Sequence, residues 1–140
     1  PVANRAMHEY DCVHLGFDLR RDMLDRLQFF YEDDCDYLFT YTDRGVAYRH
    51  WGAKRPEEIP KKVLVGAVQD GNTTTYEIAL PWKEEFVPYA TPEEGNVIGF
   101  SVYFRDIDPG EEQGFLHWGR GLDWHTKRPA LFWSLQLTGR

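Results

Sequence analysis

The chain is short of cysteine, methionine and positive charge, and each shortage narrows what it can be. Its 140 residues hold 2 Cys and 2 Met. Cys12 and Cys35 fit no C-x-x-C zinc spacing, and no C-x-x-C-H run offers covalent haem attachment. Two free thiols and one disulfide both remain open from sequence. Lys and Arg total 16 against 23 Asp and Glu, for a net charge of −7. Nucleic acid and anionic membranes both select for basic surface, so neither is an expected partner. No apolar run approaches the ~20 residues of a membrane-spanning helix. No signal-peptide pattern opens the chain at Pro1, and a processed or excised segment is the expectation. Catalytic signatures are also missing. There is no G-x-S-x-G elbow, and Glu77 has no identifiable second carboxylate for glycosidic chemistry. Nothing in the sequence calls for an enzyme. Internal repeats and low-complexity tracts are absent.

Aromatic residues are what the chain has instead: 5 Trp, 8 Tyr and 9 Phe. They give large contact area at small entropic cost, which suits a β-sandwich core or a ligand platform. The length predicts one domain over 1–140, with a core of ordinary size. Tyr76, Ile78 and Leu80 alternate with Thr75, Glu77 and Ala79, the period of a half-buried strand, and Pro81 ends it. Asp70-Gly71-Asn72 predicts a hairpin joining Lys62–Gln69 to Thr73–Leu80. Further strands are predicted over His8–Asp18, Asp36–Thr42, Asn96–Arg105 and Ala130–Thr138. Val13, Leu15 and Phe17 share one face of the first, and Tyr37, Phe39 and Tyr41 one face of the second. Leu19–Tyr31 reads as a short helix or a long connection. Val46–Pro60 reads as an irregular loop, and Lys83–Glu94 as a connection with one helical turn. The expected fold is all-β, an antiparallel β-sandwich of immunoglobulin-like or jelly-roll type with at most one short helix.

Sugars present C–H faces that stack on aromatic rings and hydroxyls that need charged or amide partners. Trp51 has Arg49, Lys54 and Arg55 near it in sequence. Trp118 and Trp124 are flanked by Arg120, Asp123, His125 and Lys127. Trp133 sits in an apolar run and is expected in the core. Acidic residues gather at Asp18/Asp22, at Asp33/Asp34/Asp36 and at Asp106/Asp108/Glu111/Glu112. Such groups suit calcium, although no D-x-D-x-D-G loop is present. His8, His14, His50, His117 and His125 are scattered, and with Met7 and Met23 they keep an axially ligated haem open.

The runs YEIALPW (76–82) and IGFSV followed by DID (98–108) appear in that order. With the opening DCVHLGFD (11–18), DCDYLFTY (34–41) and the tail HWGRGLDWHTKRPALFWSLQL (117–137), they resemble carbohydrate-binding module family 9. The likeness spans most of the chain. It implies a non-catalytic domain that holds a larger protein on a polysaccharide or oligosaccharide. Two aromatic rings would clasp the sugar between loops at one end of the sandwich. The ligand set this implies is Trp51, Trp124, Trp118, Arg49, Lys54 and Arg120. Trp118 also matches a recurring packing position, and Trp82 a packing residue. The resemblance further implies structural Ca2+ at Asp18, Asp22 and Asp36, and a secreted, periplasmic or cell-surface setting beside other domains of the same protein. The segment after Asp18 is longer than the family's usual short acidic turn. Basic residues around the rings favour an anionic sugar. A haem-binding sandwich for electron transfer is the alternative, and a polysaccharide-active enzyme or its accessory domain is the second.

Overall fold

A computed structural model describes residues 10–22, 33–42, 44–52, 63–86, 89–91, 93–107, 114–123 and 127–139. The fold is an all-β antiparallel sandwich. Among the described residues eight strands form it: β1 Cys12–Asp18, β2 Asp34–Thr42, β3 Gly45–Gly52, β4 Leu64–Asp70, β5 Thr73–Ala79, β6 Val97–Asp106, β7 Gly114–Trp118 and β8 Trp133–Gln136. One α-helical turn, α1 Trp82–Glu85, follows Pro81. Among the described residues no helix is long and apolar enough to cross a membrane.

The larger sheet runs β3-β2-β1-β6-β7, and β8 also pairs with β6. β7 pairs with Val102–Asp106 and β8 with Val97–Phe100, so the two share one edge of β6 end to end. β4 and β5 make the second layer. Asp70 pairs with Thr73, leaving the two-residue turn Gly71-Asn72, and Gly71 takes φ 58° there. Glycine reaches that left-handed region without steric cost.

Side-chain parity assigns the two faces of the large sheet. Leu15, Phe17, Cys35, Tyr37, Phe39 and Phe100 point toward the hairpin, where Val65, Tyr76 and Ile78 close over them. Phe17 lies at the centre, 4.9 Å from Phe86, 5.1 Å from Phe100 and 6.0 Å from Tyr37 by ring centroids. Each such side chain contributes about 1.5–3 kcal/mol by leaving water. Trp82 packs on this core, and its indole N–H donates to the Ala90 carbonyl at 2.8 Å. α1 thus plugs the end of the core immediately after the strand-ending proline.

The opposite face carries Cys12, His14, Gly16, Asp34, Asp36, Leu38, Trp51 and Arg49 by the same register. The segment after β7 folds across part of it. A Cβ on Gly16 would stand 2.7 Å from the Phe132 ring and 3.0 Å from Leu122, so glycine is what lets both side chains seat on the sheet. Cys12 and Cys35 are buried on opposite faces of the sheet with no disulfide between them, and burial pushes the Cys12 thiol up to about 11.

Four expectations change. The predicted loop at Val46–Pro60 is a strand through Gly52, while residues 53–60 lie outside the described residues. The β7 strand was not foreseen. The closing strand is shorter than Ala130–Thr138, because Pro129–Leu131 form a 3-10 turn before it. Trp133 is 48% exposed, not core; its ring packs edge-on against Trp118, itself exposed, at 5.3 Å. Most of the Leu19–Tyr31 segment lies outside the described residues; residues 19–22 are not helical.

Candidate functional site

The site begins with two residues two apart on β3. Arg49 and Trp51 fall on the same face, and their cross-strand partners on β2 are Leu38 and Asp36. Alternation along an extended chain therefore brings a guanidinium, an indole and a carboxylate together. The Arg49 guanidinium lies over the Trp51 ring, 3.7 Å from its centroid. Cys12, Leu38 and Ala47 form the apolar floor. His14 meets the Trp51 ring edge-on at 6.2 Å.

Lys127 completes the group from the far end of the chain. Its segment is fixed by a bridge between Leu122 and Lys127 and by the Arg128 N–H donating to the Gly121 carbonyl at 2.7 Å. Gly121 has φ 77°, and a Cβ there would fall 2.2 Å from the Arg128 carbonyl oxygen, so only glycine closes this turn. The Lys127 ammonium donates to Asp36 Oδ2 and sits 5.6 Å from the Trp51 ring centroid. Two cations thus flank one indole, both near a single buried carboxylate.

Asp36 is wholly buried, and its Oδ1 has no hydrogen-bond partner among the described residues. Burial raises its pKa, and the nearby Lys127 and Arg49 charges partly oppose that rise. Burial also lowers the Arg49 pKa. His14 is held neutral, its pKa well below the usual imidazole value, first by burial and then by the Lys127 charge. The cluster therefore holds two cations against one carboxylate in a chain of net charge −7. Along the same face, Tyr103 lies 6.2 Å from His14 and 4.7 Å from His117 by ring centroids, and Phe115 lies 5.3 Å from His117. A row of rings therefore runs from β3 to the β7 edge.

Among the described residues of the expected ligand set, Arg49 and Trp51 are brought together. Trp118 lies on the opposite face, where its ring stands 5.5 Å from Phe100 and 5.3 Å from Trp133. Arg120 is exposed beyond β7. Trp124 and Lys54 lie outside the described residues, as do His8, His125, Met7, Met23, Asp108, Glu111 and Glu112. The sequence reading missed the roles of Lys127 and Asp36. Asp36 shares the parity of fully buried Leu38, and a carboxylate there needs a cation. That parity was the available signal for the pair.

The acidic residues sort differently from the expected set. Carboxylate oxygens of Asp18, Asp22 and Asp33 all lie within 4.8 Å of one another, while Asp36 belongs to Lys127. Asp18 Oδ1 accepts the Arg21 N–H at 2.6 Å, and Asp33 Oδ2 accepts the Arg20 N–H at 2.9 Å. Burial raises the Asp18 pKa, and the Arg21 N–H bond opposes that rise. Three converging carboxylates suit a hard cation with six to eight oxygen ligands, completed by backbone or water. Of the described histidines, His14 and His50 sit on opposite faces of the sheet, and His117 shares His14's face with the Tyr103 ring placed between them.

No family model, no curated protein and no solved structure matches this chain.

Proposed function

We propose that this domain binds carbohydrate without catalysis, on the sheet face where Arg49, Trp51 and Lys127 meet. The observation that carries the reading is the half-buried Trp51 flanked by two cations beside a buried carboxylate. A sugar C–H face takes the exposed part of the indole. The Arg49 guanidinium and Lys127 ammonium donate to ring hydroxyls or to a sugar carboxylate. Two cations against one carboxylate favour an anionic sugar such as a uronic acid. Asp36 acts from beneath, anchoring Lys127 so that its ammonium does not swing into solvent. This differs from the loop-end clasp that the family resemblance implies, because the rings stand on strands and Trp118 faces away. A calcium ion at Asp18, Asp22 and Asp33 would stabilise the turn after β1 and take no part in binding.

The test is a glycan array probed with the chain alone, followed by affinity electrophoresis through gels holding the polysaccharides that score. Neutral and uronate-containing glycans form separate arms. Trp51→Ala is expected to weaken binding by about 1–3 kcal/mol, the range for losing a large apolar contact, with the far-UV spectrum unchanged. Full binding by Trp51→Ala moves the site elsewhere, and no retention on any glycan removes the carbohydrate reading.

A further inference from the structure

β7 is an exposed edge of the larger sheet. It pairs with β6 along one side only, and among the described residues no strand pairs with its other side. All five of its residues, Gly114-Phe115-Leu116-His117-Trp118, are exposed. Phe115 is 68% exposed, Leu116 66% and Trp118 41%. Natural edge strands are usually blunted by Lys, Pro, inward charges or bulges. β7 has none of these: it holds no Pro, Asp, Glu, Lys or Arg, and it is apolar on both faces. The rings continue past the strand, since Trp118 meets Trp133 of β8, itself 48% exposed.

We propose that two copies of this chain join through β7, antiparallel across a two-fold axis at Leu116, to make one continuous sheet. Three observations select a second copy as the occupant. The first is register. A two-fold axis perpendicular to the sheet keeps each side chain on its own face, so it must pass through a residue position rather than between two. Only the axis at Leu116 pairs all five residues. The second is fit in that register. Leu116 meets its own copy, Phe115 meets His117, and Trp118, the bulkiest residue, meets Gly114, the smallest. Phe115 and His117 already pack edge-to-face within one copy, and the pairing places no like charges opposite each other. The third is area. Phe104, Phe115, Leu116, Trp118 and Trp133 together leave about 500 Å² of apolar surface in water, on the scale of 150–250 Å² for a whole aromatic side chain. A specific interface needs about 800 Å² per partner, and these side chains alone supply more than half of it.

The register makes the test specific, because residue 116 faces itself. Analytical ultracentrifugation of the chain is expected to show a dimer within the micromolar range. Leu116→Glu and Leu116→Lys should each be monomeric alone, since like charges then stand directly opposite, and an equimolar mixture of the two should dimerise again. Leu116 is an exposed edge residue, so both variants should keep the parent's near-UV spectrum. As a second probe, Leu116→Cys should form a disulfide-linked dimer on mild oxidation. Directly opposed residues lie about 4.5–5.5 Å apart at Cα, within disulfide reach. Phe115→Cys, which faces His117, should not cross-link, and Cys12 and Cys35 are buried. A parent that stays monomeric at hundreds of micromolar overturns the proposal. So does a charged variant that still dimerises alone, a mixture that stays monomeric, or a Leu116→Cys chain that does not cross-link.

Discussion

Removing the Lys127 ammonium tests the electrostatic core of the site. In Lys127→Met the stem volume is nearly kept, but the Asp36 carboxylate loses its hydrogen-bonded cation. Asp36 is wholly buried, and its other oxygen already lacks a partner among the described residues. Breaking a buried pair by deleting one partner costs about 3–5 kcal/mol, because a charge is left uncompensated. Arg49 also lowers the Asp36 pKa, so its charge offsets part of that loss. An effect toward the lower end, about 3 kcal/mol, is therefore expected in urea denaturation at neutral pH. The pH dependence identifies the cause. Burial already holds the folded Asp36 pKa above its ordinary value, and removing Lys127 raises it further. An acid with a raised folded pKa loses stability as pH climbs from its unfolded value to its folded one. The variant should therefore recover relative to the parent as pH falls. Asp36→Asn in the Lys127→Met background should restore most of the lost stability. A Lys127→Met chain as stable as the parent at every pH would refute the reasoning, as would a deficit that does not depend on pH.

Further expectations follow from the same geometry. Burial lowers the His50 pKa to about 4, and it also holds His14 well below the imidazole range. A lowered histidine gives stability that is complete above pH ~6.5 and lost as pH falls toward the folded value; the raised Asp18 and Asp36 oppose this at the acid end. His50→Phe, whose ring can keep the tilted contact with Tyr37 at 4.7 Å, should therefore flatten the stability curve between pH 6.5 and 4, and an unchanged slope there would show that His50 makes no such contribution. Gly16→Ala should cost about 1–3 kcal/mol by thermal melt, the usual range for overpacking, since its Cβ meets Phe132 and Leu122; a neutral result would mean the covering segment shifts freely. Millimolar calcium should raise the melting temperature over EDTA, and Asp22→Asn should abolish that gain; equal melting temperatures would leave the three carboxylates as a solvated cluster.

The parts of the fold that were legible are those where one side of a strand is wet and the other dry. Tyr76, Ile78 and Leu80 alternate cleanly because β5 has solvent on its far side, and Gly71-Asn72 marks its turn. β3 hid itself. Tyr48 and His50 face the hairpin side while Arg49 and Trp51 face the other, so polar and aromatic residues occupy both sides and no period appears. β7 was invisible for the opposite reason, being apolar on both faces. Trp133 has the sequence neighbours of a core residue, and its exposure is a tertiary outcome that no local pattern records. Arg49 and Trp51 were grouped by nearness in sequence, and it is the strand Gly45–Gly52 that puts both on one face. Lys127 stands 91 residues from Asp36, and only the segment crossing the sheet brings it there.

We propose that Trp51, not the exposed pair Trp118 and Trp133, contacts sugar. This is tested most directly by following the tryptophan indole N–H resonances in a 15N correlation spectrum during titration with a glycan that scores on the array. Assignments come from single Trp→Phe variants. The Trp51 signal should shift in a saturable manner, while those of Trp118 and Trp133 on the other face stay in place. Movement of Trp118 and Trp133 with Trp51 unmoved would contradict it.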